Sequence, residues 1–277
     1  MEFFSNMKEL HIINVGTSII TNYKKKDIDI NIKNAKLSDN ETWEQVLDSP
    51  TLMENIYQFV LENPKERSAE LNSFLRMVEQ KNNDIEVYFL GTKTPVNEIC
   101  VRILERFIKE NGYKIYVTKE FPGYFLTYSN NKAEEFKNGI SDMLDHLLLL
   151  ANRKKSEGYK VYFNPTGGFK AHVIACALAG FLTYSEVYYL NEEFDDIIIF
   201  PYLFYLPKNK ELELLRILQE KKQLSKSDVE SLYEKYPDEI ERLKNYGLID
   251  FDIFEDVEKI RINPKGVALL SELESKK

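Results

Sequence analysis

The sequence predicts an α/β protein: a mainly parallel sheet with flanking helices, followed by a smaller, mostly helical domain. Three observations carry this. Short apolar runs suited to buried strands recur at residues 10–15, 85–90 and 159–163. Each closes in a turn of glycine and hydroxyl residues and opens into a helical pattern, the alternation of a parallel sheet. Past residue 207 the alternation stops, and three helical patterns precede two strand-like runs.

The totals bound the reading. A chain of 277 residues with 43% hydrophobic side chains can bury a substantial core, as one large domain or two of ordinary size. Its net charge of −8 supplies no global basic field for a long duplex. A pocket for a short oligonucleotide needs only a few cations and oriented amides. Cys100 and Cys176 fall in stretches that read as buried helix faces, which fits reduced thiols in a cytoplasmic protein. His11, His146 and His172 lack metal-ligand spacing, so no metal or other cofactor is expected. Without a signal peptide or an apolar run near 18 residues, the chain reads as soluble, with no membrane partner.

In order, the strand at 10–15 ends in Gly16-Thr17-Ser18. This turn offers flexible backbone and two hydroxyls to a phosphate, and it equally suits the N-cap of a following helix. Residues 24–80 are polar, with apolar positions at Trp43, Leu47, Leu52, Ile56 and Phe59 for one or two helices that Pro64 interrupts. Ser68 starts another helix, with Leu71, Phe74, Leu75 and Val78 on one face. The strand at 85–90 closes in Gly91-Thr92-Lys93-Thr94-Pro95 before an amphipathic helix at 96–111. A third strand is expected at 113–117, an aromatic turn-rich loop at 121–131, and a long helix at 133–155.

The most informative stretch is Asn164-Pro165-Thr166-Gly167-Gly168-Phe169-Lys170, between a strand and a small-residue helix at 171–183. Two glycines permit positive φ and close backbone approach. Amides at the following helix start lack partners and favour an anion. Thr166 adds a hydroxyl and Lys170 a charge one turn into the helix, while Asn164 either fastens the turn or meets a sugar. The local pattern suits an anion cradle or a plain Gly-Gly turn. A Walker A loop is absent. A parallel sheet would place the turns at Gly16, Gly91 and Gly167 along one carboxyl edge. Strands follow at 186–190 and 197–201, the latter at an edge or in a hairpin.

Residues 201–207 read as a hinge. Beyond it, helices at 211–220, from Ser225 and at 238–245 lead to strands at 251–254 and 260–263 and a last helix at 264–273, a winged-helix pattern. Residues 211–277 carry 12 Lys and Arg against 16 Asp and Glu, a poor balance for duplex DNA. Dimerisation or lid duty suits this tail better.

Val15-Gly16-Thr17-Ser18, Gly91-Thr92-Lys93-Thr94-Pro95 and Asn164-Pro165-Thr166-Gly167-Gly168-Phe169-Lys170 together resemble CARF domains, and most of all the CARF ring nucleases that bear a winged helix. The resemblance spans residues 8–207 and implies a Rossmann-like CARF domain over 1–207 with a winged-helix domain over 208–277. It implies a homodimer that binds a cyclic oligoadenylate, cyclic tetra-adenylate foremost, and cleaves it without metal to end type III CRISPR signalling. By position it makes Ser18 and Lys170 catalytic, and Gly16, Thr17, Thr92, Lys93, Asn164, Thr166, Gly167, Gly168 and Phe169 substrate-binding. Lys93 stands where many relatives carry a more acidic turn. The other reading is a non-catalytic sensor or transcription regulator acting through the winged helix. No histidine has the upstream arginine of a HEPN ribonuclease.

Overall fold

The computed structural model describes residues 8–26, 29–79, 84–116, 119–121, 132–191, 196–200, 207–221, 224–254 and 257–275. The chain forms two compact units, Met1–Phe200 and Pro201–Lys277. Most of the expected aromatic loop and hinge, residues 122–131 and 201–206, lie outside the described residues.

The first unit opens with β1 (Lys8–Asn14), whose residues are all buried after Lys8. The polar stretch after it folds as six helices: α1 (Ser18–Tyr23), α2 (Ile30–Asn34), α3 (Asn40–Leu47), α4 (Pro50–Glu62), α5 (Pro64–Arg67) and α6 (Ala69–Val78). The apolar positions at Trp43, Leu47, Leu52, Ile56 and Phe59 fall on two helices, α3 and α4, within the one or two expected, while the short α2 and α5 were not foreseen. The reason is local: Asp29, Asp39, Ser49, Asn63 and Ser68 each accept a first-turn N–H, so each small polar residue restarts a helix. Pro50 and Pro64 sit at first helical positions, where the missing N–H costs nothing. Pro64 therefore starts a helix as well as ending one.

β2 (Asp84–Thr92) is longer than its apolar run, and Gly91 and Thr92 belong to the strand, leaving Lys93 and Thr94 as the turn. Then come α7 (Pro95–Glu110), β3 (Lys114–Ile115) and β4 (Lys119–Phe121). The single expected third strand is split, because pairing with β2 runs Val87 to Ile115 but Leu90 to Lys119, a shift of one residue. α8 (Lys132–Ser156), β5 (Tyr159–Asn164), α9 (Lys170–Leu182), β6 (Glu186–Leu190) and β7 (Ile197–Phe200) complete the unit.

Six strands lie in the order β3-β2-β1-β5-β6-β7, and the seventh, β4, also pairs with β2. All pairings are parallel except that of β7. Two apolar layers sandwich the sheet. Ile13, Val87 and Phe89 pack with Trp43, Tyr57, Phe74 and Leu104 on one face. On the other, Leu10, Ile12, Tyr88 and Phe163 pack with Leu147, Cys176 and Ala179. The chain runs from β1 outward to β2, then returns to the opposite side of β1 at β5. The gap between the β1 and β5 carboxyl ends is therefore a topological switch point, where doubly wound sheets open a crevice.

The second unit contains α10 (Asn209–Glu220), α11 (Lys226–Lys235), α12 (Pro237–Asn245), an antiparallel hairpin of β8 (Ile249–Phe254) and β9 (Val257–Ile262), and α13 (Pro264–Ser275). Leu214, Leu215, Leu243, Leu248 and Leu270 form its core. Among the described residues no helix is long and apolar enough to cross a membrane.

Candidate functional site at the carboxyl edge of the sheet

The turns after β1, β2 and β5 meet. Val15, Gly16, Thr17, Leu37, Thr92, Thr94, Val96, Asn97, Gly168 and Phe169 wall one open pocket of about 150 Å³. Of the residues singled out in the sequence, Gly16, Thr17, Thr92, Gly168 and Phe169 share this pocket. Ser18 lies next in chain to its wall. Lys93 and Lys170 are exposed and adjoin wall residues in the chain, and Asn164, Thr166 and Gly167 do not line the pocket.

Contact between the first and third turns is direct. A Cβ on Gly16 would fall 2.5 Å from the Gly168 nitrogen, so the two backbones touch. Asn14, fully buried at the end of β1, donates through Nδ2 to the Gly167 carbonyl at 2.5 Å. Of the two adjacent glycines only Gly168 takes positive φ, at 97°.

Asn97, buried in the first turn of α7, joins the second turn to the first. Its Oδ1 accepts the Thr92 N–H at 2.7 Å, and its Nδ2 donates to the Val15 and Gly16 carbonyls at 2.9 and 3.1 Å. Asn164 does the same for the third turn. Its Oδ1 accepts from the Thr166 N–H at 3.1 Å and the Thr166 hydroxyl at 2.6 Å, while its Nδ2 donates to Ser73 Oγ at 2.7 Å. Of the two roles open to Asn164, fastening the turn is the one its complete burial fits. The Thr166 proton is committed to that Asx turn.

The element that sequence reasoning missed is the start of α6. Glu70 is only 1% exposed, yet it carries a carboxylate. Its Oε1 accepts the Gly16 N–H at 2.8 Å; its Oε2 accepts the Ser18 hydroxyl at 2.7 Å and the Ser68 hydroxyl at 2.8 Å. The Ala69 N–H donates to Ser18 Oγ at 3.1 Å. Three donors satisfy a charge that burial alone would penalise. A signal was present: Glu70, Phe74 and Val78 recur every four residues, so the acid lies on the apolar stripe of its helix.

Lys170 is the first residue of α9, a correction to its expected place one turn in. Phe169 occupies the N-cap of this 13-residue helix, and no side-chain cap takes up its first-turn amides. His172, two residues on, is buried, and desolvation pulls its pKa down to about 4. Cys100 and Cys176 are free and buried, and desolvation pushes both thiols above their ordinary range. His11 is a core residue, bonded to Glu9 at 3.1 Å and Tyr188 at 3.2 Å.

Fold and pocket define a doubly wound α/β protein whose polar turns converge at the switch point of its sheet. A family model described as CRISPR-associated protein (Cas_APE2256) matches residues 65–203. The chain belongs to that CRISPR-associated family, which gives it a role in CRISPR systems. The matched segment includes Glu70, Asn97, Asn164 and Lys170, but β1 and the Gly16-Thr17-Ser18 turn precede it.

Proposed function

We propose that this protein is a ring nuclease that binds and cleaves a cyclic oligoadenylate, cyclic tetra-adenylate foremost, and so switches off type III CRISPR signalling. The observation that carries this reading is the meeting of the Gly16 and Gly168 turns with Thr92 and Thr94, at the end of β2, in one pocket, with Lys170 beginning the adjacent helix. Hydroxyls, uncapped amides and two exposed lysines suit a phosphate-bearing ligand. Membership of a CRISPR-associated family supports a ligand from that system.

In the proposed reaction a ribose 2′-oxygen attacks the adjacent phosphorus in line. The 2′-oxygen to phosphorus bond forms, the phosphorus to 5′-oxygen bond breaks, the 2′-proton departs and the 5′-oxygen gains one. The products are linear, ending in a 2′,3′-cyclic phosphate and a 5′-hydroxyl. Lys170 and the amides that open α9 stabilise the added negative charge, and Ser18 sets the attacking group. With no strong base assigned, turnover is slow. Ring symmetry calls for two copies of the site, hence the proposed CARF-type homodimer, with the second unit reading as a winged helix.

Incubating the protein with radiolabelled cyclic tetra-adenylate in EDTA tests this. Linear products ending in 2′,3′-cyclic phosphate, reduced about a hundredfold by Lys170→Ala, are expected. Tight binding without cleavage over hours would favour a non-catalytic sensor instead.

A further inference from the structure

Glu70 fixes what Ser18 can say to a ligand. A serine hydroxyl has one proton to donate and two lone pairs to accept with. The Ser18 proton goes to Glu70 Oε2 at 2.7 Å, and one lone pair takes the Ala69 N–H at 3.1 Å. What remains is a single lone pair. Glu70 cannot turn away to release that proton. Its other oxygen holds the Gly16 N–H, the Ser68 hydroxyl shares Oε2, and Gly167 packs against Oε1 closely enough that a Cβ there would be 2.2 Å away.

Resting on the ring-nuclease reading, we infer that Glu70 is a positioning residue that makes Ser18 a hydrogen-bond acceptor, so that Ser18 meets a sugar hydroxyl of the ligand and not a phosphate oxygen. Phosphate oxygens accept and have no proton to give at neutral pH, so they find no partner in the remaining lone pair. A 2′-hydroxyl donates and does. Through Ser18, Glu70 selects ribose over deoxyribose and directs the 2′-oxygen's lone pairs away from the serine, toward the phosphorus. Lys170 and the α9 amides, on the neighbouring strand's turn, are left to the phosphate. The division is chemical: the β1 turn reads the sugar and the β5 turn reads the charge.

Calorimetric titration with cyclic tetra-adenylate and with its all-2′-deoxy counterpart tests this, using the full chain, Ser18→Ala and Glu70→Gln. Glutamine keeps the length of Glu70 but replaces one acceptor with a donor: in the place of Oε2 it faces both the Ser18 and the Ser68 hydroxyl, in the place of Oε1 the Gly16 N–H. The unaltered protein should prefer the ribose ring by about twentyfold to a hundredfold, the worth of two hydrogen bonds, one from each copy of the site. Both variants should bring that preference within about twofold. General weakening of the fold would lower both affinities alike and leave their ratio unmoved. A ratio preserved in Ser18→Ala, or lost there but preserved in both Glu70→Gln and Glu70→Asp, overturns the assignment while leaving the ring reading intact. Binding of neither ring by the unaltered protein sinks the ring reading and this assignment with it. Glu70→Asp, which withdraws the carboxylate from Ser18, enters the same comparison, with circular dichroism confirming that each variant folds.

Discussion

The Glu70 carboxylate lies directly against the backbone of Gly167: a Cβ on that glycine would sit 2.2 Å from Oε1 and 2.9 Å from the Asn14 carbonyl oxygen. The glycine is therefore required by what is beneath it, whatever occupies the pocket above. Gly167→Ala should cost about 1–3 kcal/mol in urea unfolding, the usual penalty for overfilling a packed site. Made in a Glu70→Ala background, the same change should cost clearly less, because one of the two obstructions has gone. Equal costs in both backgrounds would show that the two residues do not press on each other.

Asn97 offers a second test, since one buried side chain serves three backbone groups of two turns. Asn97→Ala strands the Thr92 N–H and loosens Val15 and Gly16 at once. A loss of about 2–4 kcal/mol is expected from calorimetric or denaturant unfolding. Asn97→Asp keeps the acceptor for Thr92 but aims carboxylate oxygens at two carbonyls, and should recover little.

Acid sensitivity follows from His172. Desolvation holds its folded pKa near 4 against an ordinary value of 6.5, so the folded protein resists a proton that the unfolded chain accepts. This contribution to stability is fully present above pH 6.5 and falls away as pH drops from 6.5 towards 4. Thermal midpoints measured across that window should fall more steeply in the unaltered protein than in His172→Gln. Parallel curves would refute the assignment.

The proposed homodimer predicts a role for the outer face of α9. Ile174 is 67% exposed and Leu182 42%, and both lie at multiples of four residues from Lys170 on this helix. A second copy seated on that stripe would bring two Lys170 side chains towards one ligand. Ile174→Glu should therefore yield monomers in sedimentation equilibrium and weaken cyclic tetra-adenylate binding at least tenfold, with the monomer fold unchanged by circular dichroism. An unaltered mass would place the contact elsewhere.

Strand-to-turn-to-helix order was legible because buried parallel strands are continuous apolar runs, and those at β1, β2 and β5 stand out from polar flanks. The convergence of their turns then followed from topology alone. Other features needed coordinates. Helix starts within residues 29–69 depend on single capping contacts from Asp29, Asp39, Ser49, Asn63 and Ser68, which compete with many similar polar residues nearby. Glu70 looked like one more solvated acid in a charged region. Only its place on the Phe74–Val78 stripe distinguished it, and the carboxylate's three donors come from residues both near and far in sequence. Ser18 was visible as a hydroxyl in a turn, but the direction of its proton was not, because Glu70 and Ala69 settle it from more than fifty residues away.

Holding the middle of the sheet, β1 has β2 on one flank and β5 on the other, although β5 begins only at Tyr159. During synthesis at about 5–20 residues per second, that second flank stays bare for roughly ten seconds. Until it is covered, the apolar Leu-His-Ile-Ile ribbon presents an open backbone edge to any other nascent chain. Yield in the cell should therefore respond to chaperone supply and growth temperature more strongly than the finished molecule's stability would suggest.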